Sequence, residues 1–260
     1  IIPGLDEILM GRVSIDSIRD VQIEDLLGRD TVDLGLGTLT DSLTGRTVMV
    51  TGAGGSIGSE LCRQVCAAGA EALLMVERCE AALFEIQQEL QGSAHPTALI
   101  PVLADAGHGS TMARTLADHR PSLIVHAAAH KHVPLVERNP CEGVRNNAFS
   151  TLSLGELADE YGVDKFVLVS TDKAVRPSSM MGASKRLAEL FIQDLNRRSR
   201  HTAYVAVRFG NVMGSKGSVI PIFREQIRSG GPVTVTHPEM ERYFMTIPEA
   251  SQLVLQSGAI

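Results

Sequence analysis

Six short apolar runs divide the chain between residues 47 and 208, and amphipathic segments separate them. The runs comprise residues 47–51, 72–76, 97–103, 122–126, 165–170 and 203–208. They are apolar at consecutive positions, as expected of strands that are buried on both faces. The segments between them predict helices over residues 56–69, 80–90, 109–119, 141–161 and 180–198. Strands and helices that alternate in this way predict an α/β fold with a doubly wound parallel (Rossmann) sheet.

The regions that flank this alternation predict smaller parts of the fold. Residues 1–44 are rich in loops and predict an N-terminal arm, whereas residues 45–207 predict the main (Rossmann) domain. After Arg208 glycine and proline become frequent, and a short strand is predicted at 233–236. We therefore expect residues 208–260 to form a small, truncated substrate lobe. Pro101 interrupts the third run, which places that strand near an edge or a bend.

Composition and charge narrow the class of protein. The formal net charge is -6 over 260 residues, so a nucleic-acid partner, which requires a basic surface, is not expected. The chain has no signal peptide and no apolar stretch long enough to span a bilayer, which predicts a cytoplasmic domain. It begins without Met and ends within a predicted helix, so we expect it to be part of a longer protein.

A glycine-rich segment follows the first predicted strand and opens the next helix. It comprises Gly52, Ala53, Gly54, Gly55, Ser56, Ile57 and Gly58. Glycines in this context allow a tight turn and let backbone amides approach a pyrophosphate, while the helix N-terminus favours negative charge. A structural turn with no ligand is the alternative interpretation. The context favours a dinucleotide site.

Three side chains after the second and third strands bear on the identity of the dinucleotide. Glu77 follows the second strand, 25 positions after Gly52 (77 − 52), where a carboxylate binds the adenine ribose hydroxyls. That carboxylate favours NAD over NADP. Arg78 beside it would accept a 2′-phosphate, so NADP is the alternative cofactor. Asp105 follows the third strand and is expected to reach the adenine.

Polar residues also collect at the end of the fifth strand and on the helix that follows. Ser170, Thr171, Asp172 and Lys173 end the strand, where open α/β sheets bind their ligands. A hydroxyl, a carboxylate and an ammonium group together support proton transfers. Lys185 on the next helix is placed to lie beside a nicotinamide ribose. Taken singly, these residues are equally compatible with a capped turn and a surface lysine.

The combined motifs resemble the extended short-chain dehydrogenase/reductase superfamily. The matching residues are Thr51–Gly58, Ala127, Ala128, Ala129, Ser170–Ala174 and Lys185. Further segments narrow the resemblance to nucleotide-sugar 4,6-dehydratases of bacterial polysaccharide biosynthesis, and within them to the UDP-N-acetylglucosamine group. Those segments are residues 129–137, 208–212, 217–224 and 242–246. Residues 11–29 are similar to the large, membrane-anchored members, so membrane anchoring of the longer protein and a homo-oligomer are expected.

One position departs from the superfamily. The usual Tyr-x-x-x-Lys motif has Met181 in place of tyrosine, and a thioether cannot act as an acid or a base. The large dehydratases are similar in carrying methionine there, so the resemblance implies an active enzyme. It also implies that Thr171 binds the C4 hydroxyl and relays its proton, Asp172 protonates the leaving C6 hydroxyl, Lys173 is the base at C5, and Lys185 holds the nicotinamide ribose.

The resemblance also suggests residues for the UDP-sugar substrate. Asn211 and Arg242 are expected at the UDP portion, Lys131 and His132 at the sugar or the diphosphate, and residues 217–224 beside the uracil. His130 and His132 flank Lys131 without a third ligand at suitable spacing, so no metal site is predicted. A UDP-hexose 4-epimerase and a non-catalytic nucleotide-binding protein are the alternative functions.

Overall fold

Parallel strands form the centre of the fold in the computed structural model, which describes residues 36–215, 217–235 and 237–259. The strands of the main sheet are β1 Thr47–Thr51, β2 Ala72–Glu77, β3 Ala98–Leu103, β4 Leu123–His126, β5 Lys165–Thr171 and β6 Ala203–Phe209. Their order is β3-β2-β1-β4-β5-β6, and each neighbouring pair is parallel. The order reverses between β1 and β4, which is where a doubly wound sheet opens a crevice for a ligand. The predicted fold class is confirmed.

Helices connect the strands and cover the sheet. In chain order they are α1 Leu36–Leu43, α2 Ser56–Ala67, α3 Glu80–Gln91, α4 Gly109–His119, α5 Val133–Arg138, α6 Pro140–Val144, α7 Ser150–Glu160, α8 Met180–Arg198, α9 Val219–Arg228 and α10 Ile247–Ala259. A short second sheet pairs β7 Asn211–Val212 with β8 Phe244–Met245.

Two apolar layers sandwich the main sheet. Helices α1, α2, α3 and α10 pack on one face, and α4, α7 and α8 pack on the other. Val254 and Leu255 of α10 are fully buried in the same cluster as Val48 and Val125. The predicted boundary at 207/208 assigns α10 to the substrate lobe, whereas this helix covers the dinucleotide-binding sheet because its apolar stripe completes that layer.

The structure differs from the predicted elements in two further places. The helix predicted over 141–161 is interrupted by a π-helical turn at Arg145–Phe149, which separates α6 from α7. The strand predicted at 233–236 is wrong, since residues 233–235 have no strand partner. Apolar alternation in that segment is not matched by a neighbouring backbone to pair with. The edge position predicted from Pro101 is confirmed, because β3 is an outer strand.

Only part of the predicted N-terminal arm can be compared with the structure. Residues 1–35 lie outside the described residues, and residues 36–44 contain α1, whose Leu39 and Leu43 are buried in the core. Among the described residues, none of the helices combines the length and the apolar character that crossing a bilayer requires.

Candidate active site

Two adjoining cavities open at the carboxyl edge of the sheet, above the point where the strand order reverses. The larger has a volume of about 800 Å³ and the smaller about 200 Å³. Both are lined by Gly52, Gly55, Ala127 and Ala129, which follow β1 and β4. A ligand that extends across the glycine turn would therefore occupy both cavities.

The glycine turn between β1 and α2 leaves room for a ligand against the backbone. Gly52 has a φ of 68°, and its N–H donates to the carbonyl of Val76 at 2.8 Å. A Cβ on Gly52 would lie 2.8 Å from the backbone nitrogen of Ala128, so a side chain there would be strained and crowded. Ser56, Ile57 and Gly58 at the start of α2 line the larger cavity. These features fit the pyrophosphate of a dinucleotide.

Glu77 fastens the glycine turn to the end of β2. Its Oε2 accepts from the Gly54 N–H at 3.1 Å, and its Oε1 accepts from the N–H groups of Arg78 and Cys79 at 2.9 and 3.0 Å. The carboxylate lines the smaller cavity. Glu77 is thus held in place before any ligand binds.

Arg78 and Asp105 share the smaller cavity with Asn146 and Ala128. The Arg78 guanidinium donates to Asn146 Oδ1 at 3.1 Å and lies 3.9 Å from Asp105 Oδ2. Asp105 Oδ1 accepts from the Gly107 N–H at 2.8 Å. The cavity therefore carries two carboxylates and one cation, and the cation is already partnered.

The end of β5 holds a compact polar cluster beside the larger cavity. Asp172 Oδ1 accepts from Thr171 Oγ1 at 2.9 Å and from Lys173 Nζ at 3.0 Å. Lys173 Nζ also donates to Asn211 Oδ1 at 3.0 Å. Burial acts to raise the pKa of Asp172, but the hydrogen bonds from Lys173 and Thr171 outweigh it and lower the pKa. Asp172 is accordingly a carboxylate paired with an ammonium group.

Helix α8 presents Met181 and Lys185 to the larger cavity. The helix begins just after Ser179, whose Oγ accepts from the Gly182 N–H at 3.1 Å. Met181 and Lys185 are four residues apart and lie on the same helix face. Both are nearly inaccessible, at 4% and 5% exposure. Burial lowers the pKa of Lys185 to about 8, and the nearby Glu189 partly opposes this effect.

Residues that we did not predict support the cavity wall. His126 at the end of β4 is fully buried, and its Nδ1 lies 2.7 Å from Thr51 Oγ1. Asn147 in the π-helical turn accepts from the His130 N–H at 2.7 Å and donates to the His130 carbonyl and to Ser184 Oγ, both at 3.0 Å. A histidine within an apolar run and an asparagine within a helical segment carry no distinct sequence signal.

The predicted substrate residues are only partly brought together. Lys131, His132 and Asn211 line the larger cavity, as do residues 217–219. Arg242 is exposed and lines neither cavity, and its Nη1 donates to the neighbouring Glu241 carbonyl at 2.6 Å. Within the described part of the chain, no three His, Cys, Asp or Glu side chains are placed to hold a metal ion.

A comparison with known protein families identifies the family of this chain. A family model described as "Polysaccharide biosynthesis protein" matches residues 48–260, which include both cavities and all of the sheet except Thr47. The chain belongs to this family.

Individual relatives agree with the family. The capsular polysaccharide biosynthesis protein CapD of Staphylococcus aureus is 51% identical over 99% of this chain, and the probable polysaccharide biosynthesis protein EpsC of Bacillus subtilis is 51% identical over 100%. The chain spans only 43% of CapD and 44% of EpsC.

Solved structures share the fold. Pen from Bacillus thuringiensis is 31% identical, with a TM-score of 0.79 over 84% of this chain and 69% of its own. DesIV, a dTDP-glucose 4,6-dehydratase from Streptomyces venezuelae, is 22% identical, with a TM-score of 0.74 over 82% of this chain and 72% of its own. DesIV was crystallised with NAD and TYD bound. This chain therefore shares its fold with an enzyme that was crystallised with NAD.

Proposed function

We propose that this chain is the catalytic portion of an NAD-dependent UDP-N-acetylglucosamine 4,6-dehydratase of surface polysaccharide biosynthesis. The observation that carries the proposal is the contact of 3.0 Å between Asp172 Oδ1 and Lys173 Nζ at the edge of the larger cavity. Elimination of water requires an acid and a base side by side, and this pair can supply both.

The cavity pair suits NAD at the glycine turn. The fixed carboxylate of Glu77 would accept hydrogen bonds from the adenine ribose and repel a 2′-phosphate, and the partnered Arg78 offers such a phosphate little compensation. Lys185 would hold the nicotinamide ribose from α8. When bound, NAD would supply an acceptor for the C4 hydride and return that hydride to C6.

The proton of the C4 hydroxyl would leave through Thr171. Met181 occupies the position of the usual tyrosine and offers no acceptor for a proton. Thr171 Oγ1 is already hydrogen-bonded to Asp172 Oδ1, so a proton that enters at the threonine can pass to the carboxylate. Asp172 would then hold the proton that the leaving C6 hydroxyl needs in order to depart as water.

Lys173 would act at C5. Once its amine is neutral it can take the C5 proton, which the C4 ketone has made acidic, and it can return that proton to C5 when the hydride reaches C6. For this, Lys173 would release its own proton to water as the sugar binds, so that the Asp172 carboxylate stays free to take the proton relayed by Thr171. A bound sugar that displaces water would favour the neutral amine, because a charged amine is costly in a dry site.

The remaining cavity residues would hold the substrate. Lys131, His132 and Asn211 line the larger cavity and would contact the sugar and its diphosphate. Residues 217–219 line it too and would border the uracil. Arg242 would reach the UDP portion only after moving from its exposed position.

The test is the product formed from UDP-N-acetylglucosamine by the full-length protein. We expect a 4-keto-6-deoxy product whose mass is lower by one water. The Asp172→Asn variant should still bind NAD but fail to release water. The matched control is Asp194→Asn, which removes an exposed carboxylate that pairs with Arg197 at the surface. A product of unchanged mass would indicate a 4-epimerase, and undiminished turnover by Asp172→Asn would remove the acid assignment.

A further inference from the structure

A buried carboxylate lies one helical turn beyond Lys185. Glu189 on α8 is 1% exposed, and its two oxygens accept four hydrogen bonds. The donors are Ser170 Oγ at 2.6 Å, Arg208 Nε and Nη2 at 2.7 and 2.6 Å, and Arg186 Nη1 at 2.9 Å. Burial acts to raise the pKa of Glu189, but these bonds lower it to about 2, so the carboxylate stays ionised.

This carboxylate joins three elements beneath the polar cluster. Ser170 and Arg208 are direct partners in the β5–β6 register, and Glu189 binds both from α8. Ser170 immediately precedes Thr171, so the end of β5 is fixed just before the residues that would exchange protons. A bidentate arginine fork adds directional restraint that a single hydrogen bond lacks.

Glu189 also lies near Lys185. The ammonium group of Lys185 has no hydrogen-bond partner among the described side chains. The two lie on the same face of α8, four residues apart. His126 approaches Lys185 from β4, and the turn with Asp172 and Lys173 packs against the same helix. Lys185 is therefore surrounded by titratable groups, of which Glu189 favours its charged form.

We infer that Glu189 is a positioning residue of this site, whose carboxylate aligns the end of β5 with α8 and stabilises the ammonium form of Lys185. The inference rests on the proposed function for its effect on turnover. Its effect on Lys185 is independent of that function and can be measured without substrate.

The decisive measurement is the reactivity of Lys185 toward acetic anhydride as a function of pH, followed by peptide mass spectrometry. Only the neutral amine reacts, so the midpoint reports the pKa of Lys185. In Glu189→Gln we expect the Lys185 midpoint to fall by about 1 pH unit, because a neighbouring opposite charge is lost. Glu156→Gln removes an exposed carboxylate paired with Arg198, and should leave the midpoint unchanged.

Arg208→Gln supplies a change of opposite sign. It leaves the Glu189 carboxylate bonded to Ser170 and Arg186 but removes a neutralising charge, so the Lys185 midpoint should move to higher pH. A purely structural disturbance would move both variants in the same direction. Arg208→Gln also keeps the test valid if Glu189→Gln does not fold.

The inference is overturned by an unchanged midpoint in both folded variants, or by shifts of the same sign. Turnover provides the second readout, with kcat in Glu189→Gln lower by about 10²-fold and KM for the UDP-sugar little changed. If the wild-type protein forms no keto product, the proposed function fails while the Lys185 titration still decides this inference.

Discussion

Gly58 at the start of α2 lies so close to the carbonyl oxygen of Gly52 that a Cβ atom on Gly58 could not be accommodated. We expect Gly58→Ala to displace the turn and to raise the Kd for NAD by more than about 10²-fold, since the backbone amides would lose their approach to the pyrophosphate. Isothermal titration calorimetry measures the loss directly.

The matched control for this substitution is Gly92→Ala at the end of α3. A Cβ there would lie 3.5 Å from the backbone oxygen of Glu89, which is an ordinary contact. Gly92→Ala should bind NAD like the wild type. Wild-type affinity in folded Gly58→Ala would mean that the dinucleotide does not use this turn.

Met181 should be dispensable for proton transfer, whereas Thr171 should not. Met181→Leu keeps the buried apolar contact at the cavity wall, so we expect kcat to stay near the wild-type value. Thr171→Val removes the hydroxyl bonded to Asp172 and should lower kcat by about 10²-fold or more. Steady-state kinetics on UDP-N-acetylglucosamine compares the two variants, and a large loss in Met181→Leu would contradict the proposed relay.

The sequence was sufficient to predict the sheet because strands such as β2 are continuous apolar runs, whose burial requires helices on both sides. The Gly52–Gly58 turn was equally predictable, because its glycines follow a strand and open a helix. Residues such as Thr171, Asp172 and Lys173 were located at the right edge by the same rule.

Features that depend on contacts between distant segments were not predictable. Glu189 and Arg208 are separated along the chain and look like ordinary surface charges until α8 is placed against β6. The π-helical turn contains Asn147, whose hydrogen bonds to His130 are not encoded in any local pattern. Arg242 was selected from the resemblance alone, and its exposed position shows that resemblance does not fix geometry.

Lys185 should reduce the stability of the unliganded protein. Its pKa is about 8 in the folded state against an ordinary value of 10.5, so the unfolded chain binds more protons between these pH values. Stability therefore rises with pH through this window, and below about pH 8 the buried charge costs up to about 3 kcal/mol. Lys185→Met should be more stable than the wild type at pH 7 while losing activity.

Urea unfolding at pH 7 and near pH 10 tests this expectation. The advantage of Lys185→Met should shrink at the higher pH, where the folded wild type no longer carries the charge. Lys165→Met, at the start of β5, is the matched lysine control. A Lys185→Met protein that is less stable at pH 7 would show that the ammonium group is well compensated in the fold.

His126 should govern part of the acid sensitivity. Burial, with a smaller effect of Lys185, lowers its pKa from 6.5 to about 3. The unfolded chain binds the extra proton between these values, so the stability that a neutral His126 preserves is present above pH 6.5 and is lost as the pH falls toward 3. The difference corresponds to about 5 kcal/mol. His126→Asn should flatten the loss of stability over this range.

The comparison is made on urea midpoints between pH 7 and 4, with exposed His201→Asn as the control. Asparagine can keep a hydrogen bond to Thr51, so the variant separates the titration of the ring from the loss of that contact. His201 is exposed, and its replacement should change the slope much less than His126→Asn does. If His126→Asn kept the wild-type slope, the buried imidazole would have to be protonated at no cost, which its complete burial beside Lys185 argues against.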